Sequence, residues 1–148
     1  FIHDFNLNWL AKDIQEYIKV FHVSEEKQRI RASTFPIQSG SNRILKLMKR
    51  PYTYEIATSS LKTIRDNSPS MAIGTHIIVG FPGESYEDFY QTLRLLEELN
   101  FDFFSCFPYN EHSNTESARI TKKIPIDVIE HRLNLLENKF KGSIKVYR

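Results

Sequence analysis

A run of β-branched and apolar residues that breaks into a glycine- and proline-rich turn constrains the fold more than any other feature of the chain. Residues 75–79 read Thr-His-Ile-Ile-Val, residues 80–83 read Gly-Phe-Pro-Gly, and an amphipathic segment follows. Such apolar runs are typical of strands buried in a parallel sheet. Residues 35–41, Phe-Pro-Ile-Gln-Ser-Gly-Ser, have the same character. Two strand-to-helix junctions of this kind predict an α/β fold whose functional face lies at the strand ends.

Extended and helical patterns alternate along the chain. The patterns predict strands over 1–5, 29–37, 72–79 and 101–109, and helices over 9–21, 42–50, 54–67, 85–99 and 125–141. Asn8, Thr53 and Ser85 are the expected N-caps, the last with Asp88 in a capping box. Alternation predicts a parallel sheet with right-handed crossovers. Because ordinary barrels need about eight strands, we expect an α/β fold that is a partial parallel (βα) barrel of about four βα units.

The 148 residues are enough for one domain, and the chain starts at Phe1 without an initiating Met. We expect residues 1–148 to be a single incomplete domain, the C-terminal portion of a larger barrel, with 143–148 as the possible start of a following segment. An open sheet has an exposed edge strand, which can pair with the remainder of the parent barrel or with a second copy. No apolar run approaches the roughly 20 residues that span a bilayer, so a cytoplasmic protein with no membrane contact is expected.

Charge and cysteine content exclude several classes of site. A net charge of +2 does not by itself indicate nucleic-acid binding. Lys46, Lys49 and Arg50 form a basic cluster, which either complements the dipole at a helix C-terminus or contacts RNA. Cys106 is the single cysteine, so the chain can form neither an internal disulfide nor a multi-cysteine metal site. In its apolar strand, it is expected to pack as a small hydrophobic side chain.

Polar and glycine residues collect where the predicted strands end. In parallel α/β folds, ligands bind outside the carboxyl ends of the strands, where helix N-termini present free N–H groups. Four such ends are readable: His3-Asp4, Gln38-Ser39-Gly40-Ser41, the 80–84 turn with Glu84, and residues 108–112 with His112. The loop over 110–123 is long enough to be a lid or a substrate contact.

Several of these residues have a structural explanation beside the functional one. Gly80 and Gly83 either allow close ligand approach or only form the turn. Glu84 can bind a ligand or interact with the helix dipole, and Ser41 is expected to cap a helix, whereas Gln38 has no such role. His76 lies within a strand and is expected to be a core or interface histidine rather than a catalytic base.

Two long motifs resemble one family of enzymes. Residues 36–50, followed by Tyr52-Thr53, and residues 77–84, followed by Glu87-Asp88-Phe89, are similar to radical S-adenosylmethionine enzymes of the methylthiotransferase branch. The resemblance is strongest over 36–136 and weak before residue 29. It implies a partial (βα)6 barrel of which this chain supplies the third to sixth units.

The resemblance also implies cofactors. Family members bind S-adenosylmethionine together with a [4Fe-4S] cluster held by a Cys-x3-Cys-x2-Cys loop, which this chain lacks, so the cluster is expected in the full-length protein but not ligated here. Ile78 and Gly80 match the motif that packs on adenine, Tyr109 corresponds to a contact with the same ring, and Gln38 and Ser39 correspond to the ribose or methionine region. The implied cofactor-binding residues are Gln38, Ser39, Ile78, Gly80, Phe81 and Tyr109.

The family implies radical chemistry but leaves the reaction open. In the methylthiotransferases the loop after the sixth strand reads Tyr-Ser-x-Arg-x-Gly-Thr-x-Ala, and the Arg and Gly are absent from residues 109–117 here, although Thr115 is retained. Methylthiolation or another reaction of a 5′-deoxyadenosyl radical is therefore expected in the parent enzyme, on an RNA or protein substrate, with His3, Asp4 and His112 as candidate substrate contacts. The alternatives are a cluster-less nucleoside-binding or interaction module, and an ordinary (βα)-barrel hydrolase or isomerase.

Overall fold

A computed structural model describes residues 1–26 and 30–148 of the chain. Its strands are β1 (Ala32–Thr34), β2 (Ala72–Val79), β3 (Phe103–Pro108) and β4 (Ile144–Val146). Its α-helices are α1 (Leu7–Lys12), α2 (Ile14–Glu26), α3 (Asn42–Leu47), α4 (Tyr54–Asn67), α5 (Tyr86–Leu99) and α6 (Ile126–Lys139). A 3-10 turn, Ser117–Arg119, lies in the loop after β3.

The described strands form one parallel sheet in the order β1-β2-β3-β4, which confirms the predicted fold class. Helices connect successive strands, as parallel pairing requires. Burial alternates along the second half of β2, where Ile77 and Val79 are buried while His76 and Ile78 are half-buried. One face of the sheet therefore packs into the hydrophobic core, and the other is only partly covered.

Predicted helix boundaries near α4 and α5 are confirmed in detail. The Thr53 hydroxyl caps α4, and Ser85 with Asp88 forms the expected capping box at the start of α5. Asn100 ends α5 in the left-handed conformation, with a φ of 43°. Among the described residues, no helix is both long and apolar enough to cross a membrane.

The N-terminal prediction is wrong in three respects. The expected helix over 9–21 is two helices, because Asp13 closes α1 with a non-helical φ of -124° and α2 then continues to Glu26. Asn6, not Asn8, is the N-cap, and its side chain accepts hydrogen bonds from the two N–H groups at residues 8 and 9. The expected strand over 1–5 is reduced to one parallel bridge between Ile2 and Ser33.

Two further boundaries differ from the prediction. Helix α3 ends at Leu47 rather than at residue 50, because Lys49 adopts a left-handed φ of 56°. Regular pairing of β1 covers Ala32–Thr34 only, and residue 29 of the predicted extended segment lies outside the described residues. The expected C-terminal extension contains β4, which pairs with β3. That another segment follows stays a prediction.

Candidate functional site

A bulge after β1 places Gln38 beside the end of β2. Thr34 pairs with Gly74, but Gln38 pairs with Ile77, so the first strand carries one extra residue across this interval. The Thr75 hydroxyl satisfies the displaced backbone, donating to the carbonyl of residue 35 at 2.9 Å and accepting from the N–H of residue 37 at 3.2 Å. Gln38 has a φ of 77°. Bulges change the direction in which side chains point at sheet ends. This bulge brings Gln38 to the rim, the edge of the sheet where the carboxyl ends of its strands lie.

The loop that follows Gln38 is fixed against α5. The Gly40 N–H donates to the Thr92 hydroxyl at 2.9 Å, and a Cβ atom at Gly40 would lie 2.5 Å from the Gln91 carbonyl oxygen. Only glycine permits this approach. Ser39 is fully buried, with its hydroxyl 3.4 Å from that of Thr92. Its side chain therefore faces α5 rather than the open rim, and its expected contact with a cofactor stays a prediction.

Asp88 joins the two strand-to-helix junctions. Its carboxylate accepts hydrogen bonds from the Ser41 hydroxyl at 2.6 Å and from the Ser85 N–H at 2.8 Å, and it pairs with the Arg43 guanidinium. Arg43 also donates to the Gly83 carbonyl at 2.6 Å. Burial tends to raise the pKa of Asp88, but these hydrogen bonds outweigh it and hold the pKa well below its usual range. The start of α3 and the turn before α5 are thus tied through one carboxylate.

We expect Asp88→Asn to lower the free energy of unfolding by about 1.5–3 kcal/mol at pH 6, the range for hydrogen bonds to charged groups. Because folding lowers the pKa of Asp88, the carboxylate stabilises the fold at any pH above its unfolded-state pKa of about 3.9. This stabilisation is lost as the pH falls further. Urea unfolding of both proteins between pH 6 and pH 2 measures the difference. A difference that does not shrink below pH 4 would contradict the ionic role of Asp88.

The turn after β2 is supported by a buried ion pair. The Gly80 N–H donates to Glu84 Oε2 at 2.8 Å, and the same oxygen accepts from Arg132 of α6 at 2.6 Å. The side chains of Glu84 and Arg132 are 1% and 5% exposed. Burial raises the pKa of Glu84 to about 7, although the Gly80 N–H and Arg132 act in the opposite direction. Glu84 is therefore buried, and its carboxylate anchors this turn to α6.

An open groove of about 430 Å³ lies between α3 and the loop after β3. Ile78 and Phe81 form its apolar wall. The Tyr109 ring meets the Phe81 ring edge to face at 5.2 Å, and the Tyr109 hydroxyl donates to the Ser117 hydroxyl at 2.9 Å. The opposite side of the groove is formed by the end of α3 and by loop residues, which are Leu47, Met48, Lys49, Arg50, Thr115, Glu116 and Ser117.

A second cavity of about 290 Å³ adjoins the groove and shares Arg50 with it. It brings together Asp4, Gln38, His76 and Tyr52. His76 Nδ1 lies 3.3 Å from Asp4 Oδ1. The Tyr52 hydroxyl is already used, since it donates to the carbonyl oxygens of residues 36 and 37. The side chains of Gln38, Arg50 and His76 are among the polar groups that line this cavity.

The predicted site residues are only partly brought together. Gln38 and Ile78 are joined by a 2.9 Å backbone hydrogen bond, and the Tyr109 N–H donates to the Val79 carbonyl at 2.8 Å, so these residues and Phe81 share one rim. Gly80 contributes to the turn. His3 and His112 are exposed and line neither cavity, and their predicted substrate contacts stay predictions.

His76 and Arg50 line the second cavity, a placement that was not predicted from the sequence. The signal for His76 was available, because residues two apart in a strand share a face, and Ile78 was recognised. Cys106 is buried in β3, and burial raises the pKa of its thiol to about 12. In the described part of the chain, no cluster of three or more histidine, cysteine or acidic side chains could hold a metal ion.

Comparison with known proteins identifies relatives. A family model described as the radical SAM superfamily matches residues 14–96, more than half of the chain. The tRNA-2-methylthio-N(6)-dimethylallyladenosine synthase of Syntrophobacter fumaroxidans is 45% identical over 103 residues, covering 70% of this chain and 23% of that protein. The enzyme of the same name from Sulfurimonas denitrificans is 40% identical over 123 residues, covering 83% and 28%. The chain thus spans less than a third of either relative.

Solved structures share the fold at low sequence identity. Elp3 of the archaeon Methanocaldococcus infernus superposes with a TM-score of 0.68 at 18% identity, covering 88% of this chain and 32% of that one. Coproporphyrinogen III oxidase (HemN) of Escherichia coli, a radical SAM enzyme, gives a TM-score of 0.64 at 19% identity, covering 82% and 29%.

Proposed function

The chain belongs to the radical SAM superfamily, and on that premise we propose that its rim binds the adenosyl part of S-adenosylmethionine for 5′-deoxyadenosyl radical chemistry. The observation that carries the proposal is the meeting of Gln38, Ile78, Phe81 and Tyr109 at one end of a parallel sheet. An apolar wall with a few polar groups suits a purine carrying a sugar.

Each residue has a distinct expected role. The adenine ring packs against Ile78 and Phe81, and the bulged Gln38 offers a side-chain amide to the ribose or methionine part. The loop over 115–117 borders the groove on the side away from the sheet.

The residues of this chain fit the adenosyl group but not the iron–sulfur cluster. When bound, a [4Fe-4S] cluster supplies the electron that cleaves S-adenosylmethionine, and it needs thiolate ligands. Cys106 is the only cysteine of the chain and is buried in the sheet. We therefore assign this chain the positioning of the nucleoside and no part in holding the cluster.

The relatives suggest the substrate. Both relatives are named as synthases of a modified adenosine in tRNA, and we propose that the parent enzyme likewise modifies RNA. Arg50 places a cation near the same rim, whereas Lys49 is paired with Glu116 at 2.5 Å. Because Cys106 cannot build a cluster, a second candidate function is nucleoside binding without catalysis.

We expect the 148-residue chain to bind S-adenosylmethionine and adenosine with saturable heat in calorimetric titration. Ile78→Glu should abolish the heat, because it places a charge on the apolar wall. Ile126→Glu is the matched control, since Ile126 is 69% exposed at the start of α6 and should leave binding unchanged. Heat indistinguishable from dilution at millimolar ligand, or equal loss in both variants, would refute a preformed adenosyl site.

A further inference from the structure

We propose that the end of α3 binds phosphates in the backbone of an RNA substrate, with Lys46 and Arg50 as the contacting side chains. Both residues line an open cavity of about 510 Å³ between the end of α3 and the start of α4, which we call the basic cavity. It adjoins the groove assigned to the adenosyl group and shares Lys49 and Arg50 with it. This inference rests on the proposed function for the choice of RNA as the partner.

The end of α3 does not need these cations as caps. Lysine and arginine side chains near a helix C-terminus can hydrogen-bond to its last carbonyl groups. Here the backbone serves those carbonyls, because the Arg50 N–H donates to the Leu45 carbonyl at 2.9 Å and the Lys49 N–H to the Lys46 carbonyl at 3.0 Å. Helix α3 has only six residues, so few peptide dipoles add up along it. Of the two explanations for the basic cluster, contact with RNA is therefore favoured.

Backbone strain marks the same region. Lys49 follows α3 with a φ of 56°, at a position where glycine is the usual residue. The other described non-glycine residues with positive φ are Asp4, Gln38 and Asn100. Asn100 ends α5 before β3 begins, whereas Asp4, Gln38 and Lys49 all border the cavities at the rim. Strained backbone conformations concentrate at functional sites, and this clustering includes the edge of the basic cavity.

Arg50 lies where three cavities meet. It borders the basic cavity, the groove and the second cavity. Burial raises the pKa of Tyr52, and the charge of Arg50 nearby acts in the opposite direction. The Tyr52 hydroxyl donates to the carbonyl oxygens of residues 36 and 37, directly before Gln38. A phosphate bound by Arg50 would therefore lie beside the rim that carries Gln38.

The charges around the basic cavity favour an anion. Among the described residues that line it, none is acidic. Glu116 pairs with Lys49 at 2.5 Å from the loop after β3. Glu55, in the first turn of α4, lines a different cavity and accepts hydrogen bonds from the Asn42 amide at 3.1 and 3.2 Å. Arginine presents a planar fork of donors that matches a phosphate, and lysine adds a point charge.

RNA binding measured without S-adenosylmethionine tests this surface apart from the adenosyl site. The probe is a fluorescein-labelled RNA stem-loop, whose fluorescence anisotropy gives the association constant over a series of salt concentrations. Lys46→Gln and Arg50→Gln should each weaken binding about five- to eightfold near 0.1 M salt, the contribution of one phosphate contact. Each should also reduce the slope of the logarithm of the association constant against that of the salt concentration by about 0.7–0.9. Lys141→Gln is the matched control, because Lys141 is exposed between α6 and β4, and it should change neither quantity.

Glu116→Gln should act in the opposite direction. It releases Lys49 for a further phosphate, so RNA binding should tighten and the salt dependence should become steeper. Glu97→Gln is its control, because it breaks the exposed pair of Glu97 with Lys139 and should leave both quantities unchanged.

Losses in Lys46→Gln and Arg50→Gln that are no larger than the loss in Lys141→Gln would overturn the proposal, as would the absence of RNA binding at low salt. Either result leaves the adenosyl site to be judged separately, by the calorimetric titration with S-adenosylmethionine. Displacement of the RNA by poly-glutamate of equal charge would assign the basic cavity to an acidic protein segment, and would also overturn the choice of RNA.

Discussion

Arg132→Met is expected to lower the free energy of unfolding by about 3–5 kcal/mol at pH 8, because Glu84 must then either stay charged without its partner or take up a proton against the bulk pH. Glu84 is 1% exposed, and of its Oε2 partners among the described residues it would keep the Gly80 N–H. When folding raises the pKa of a carboxyl group, the fold becomes less stable as the pH rises, because the group ionises more readily in the unfolded state. Since the substitution raises the Glu84 pKa further above about 7, the loss should be larger at pH 8 than at pH 5.

Two controls separate this effect from loss of packing. The double variant Glu84→Gln with Arg132→Met removes both charges and keeps an acceptor for the Gly80 N–H, so it should recover most of the loss. Lys139→Met breaks an exposed ion pair with Glu97 and should cost about 0–1 kcal/mol. Urea unfolding with equal m-values measures all three. A loss in Arg132→Met that is no larger than that in Lys139→Met would contradict the anchoring role.

Gly80→Ala is expected to cost about 2–5 kcal/mol, combining about 1–2 from a left-handed backbone and about 1–3 from overpacking. Gly80 has a φ of 81°, and a Cβ atom there would lie 2.4 Å from Ile129 Cγ1. Gly83 is the matched control, because its φ is 84° but the nearest atom, Leu47 Cδ1, is 4.0 Å from its Cβ position. Gly83→Ala should therefore cost only the backbone part, about 1–2 kcal/mol.

Shortening the obstructing side chain tests the cause. Combining Gly80→Ala with Ile129→Ala removes the contact, so the two substitutions together should cost less than the sum of their separate effects. Thermal or urea unfolding of the four proteins in this cycle gives the coupling energy. Additive effects, or equal destabilisation by Gly80→Ala and Gly83→Ala, would show that Ile129 of α6 does not limit the space for a side chain at residue 80.

Local sequence rules predicted the parts of the fold that local physics determines. The capping residues Thr53 and Ser85 and the apolar run of β2 were found because each signal lies within a few residues. The N-terminal segment was misread because its structure depends on remote contacts. Ile2 pairs with a strand some 30 residues away, and Asp13 interrupts a helix that periodicity alone would continue.

The candidate site was likewise predictable where it depends on the order of the strands, but not where it depends on contacts between distant residues. The positions of Gln38, Ile78 and Tyr109 at one rim follow from parallel pairing, which the alternation of elements implied. The roles of Ser39 and Glu84 required tertiary information, because their partners Thr92 and Arg132 lie on helices distant in sequence. The approach of Asp4 to His76 involves a left-handed turn at Asp4, which no sequence pattern indicates.

Chemical-shift mapping of the ¹⁵N-labelled chain during titration with S-adenosylmethionine tests the adenosyl site most directly. We expect saturable changes at the amides of Gln38, Ile78, Phe81 and Tyr109, and at those of residues 115–117. The amides of Ala72 and Asp102, at the opposite end of the sheet, should not move. Changes centred on that opposite end, or none at millimolar ligand, would contradict the assignment of this rim to the adenosyl group.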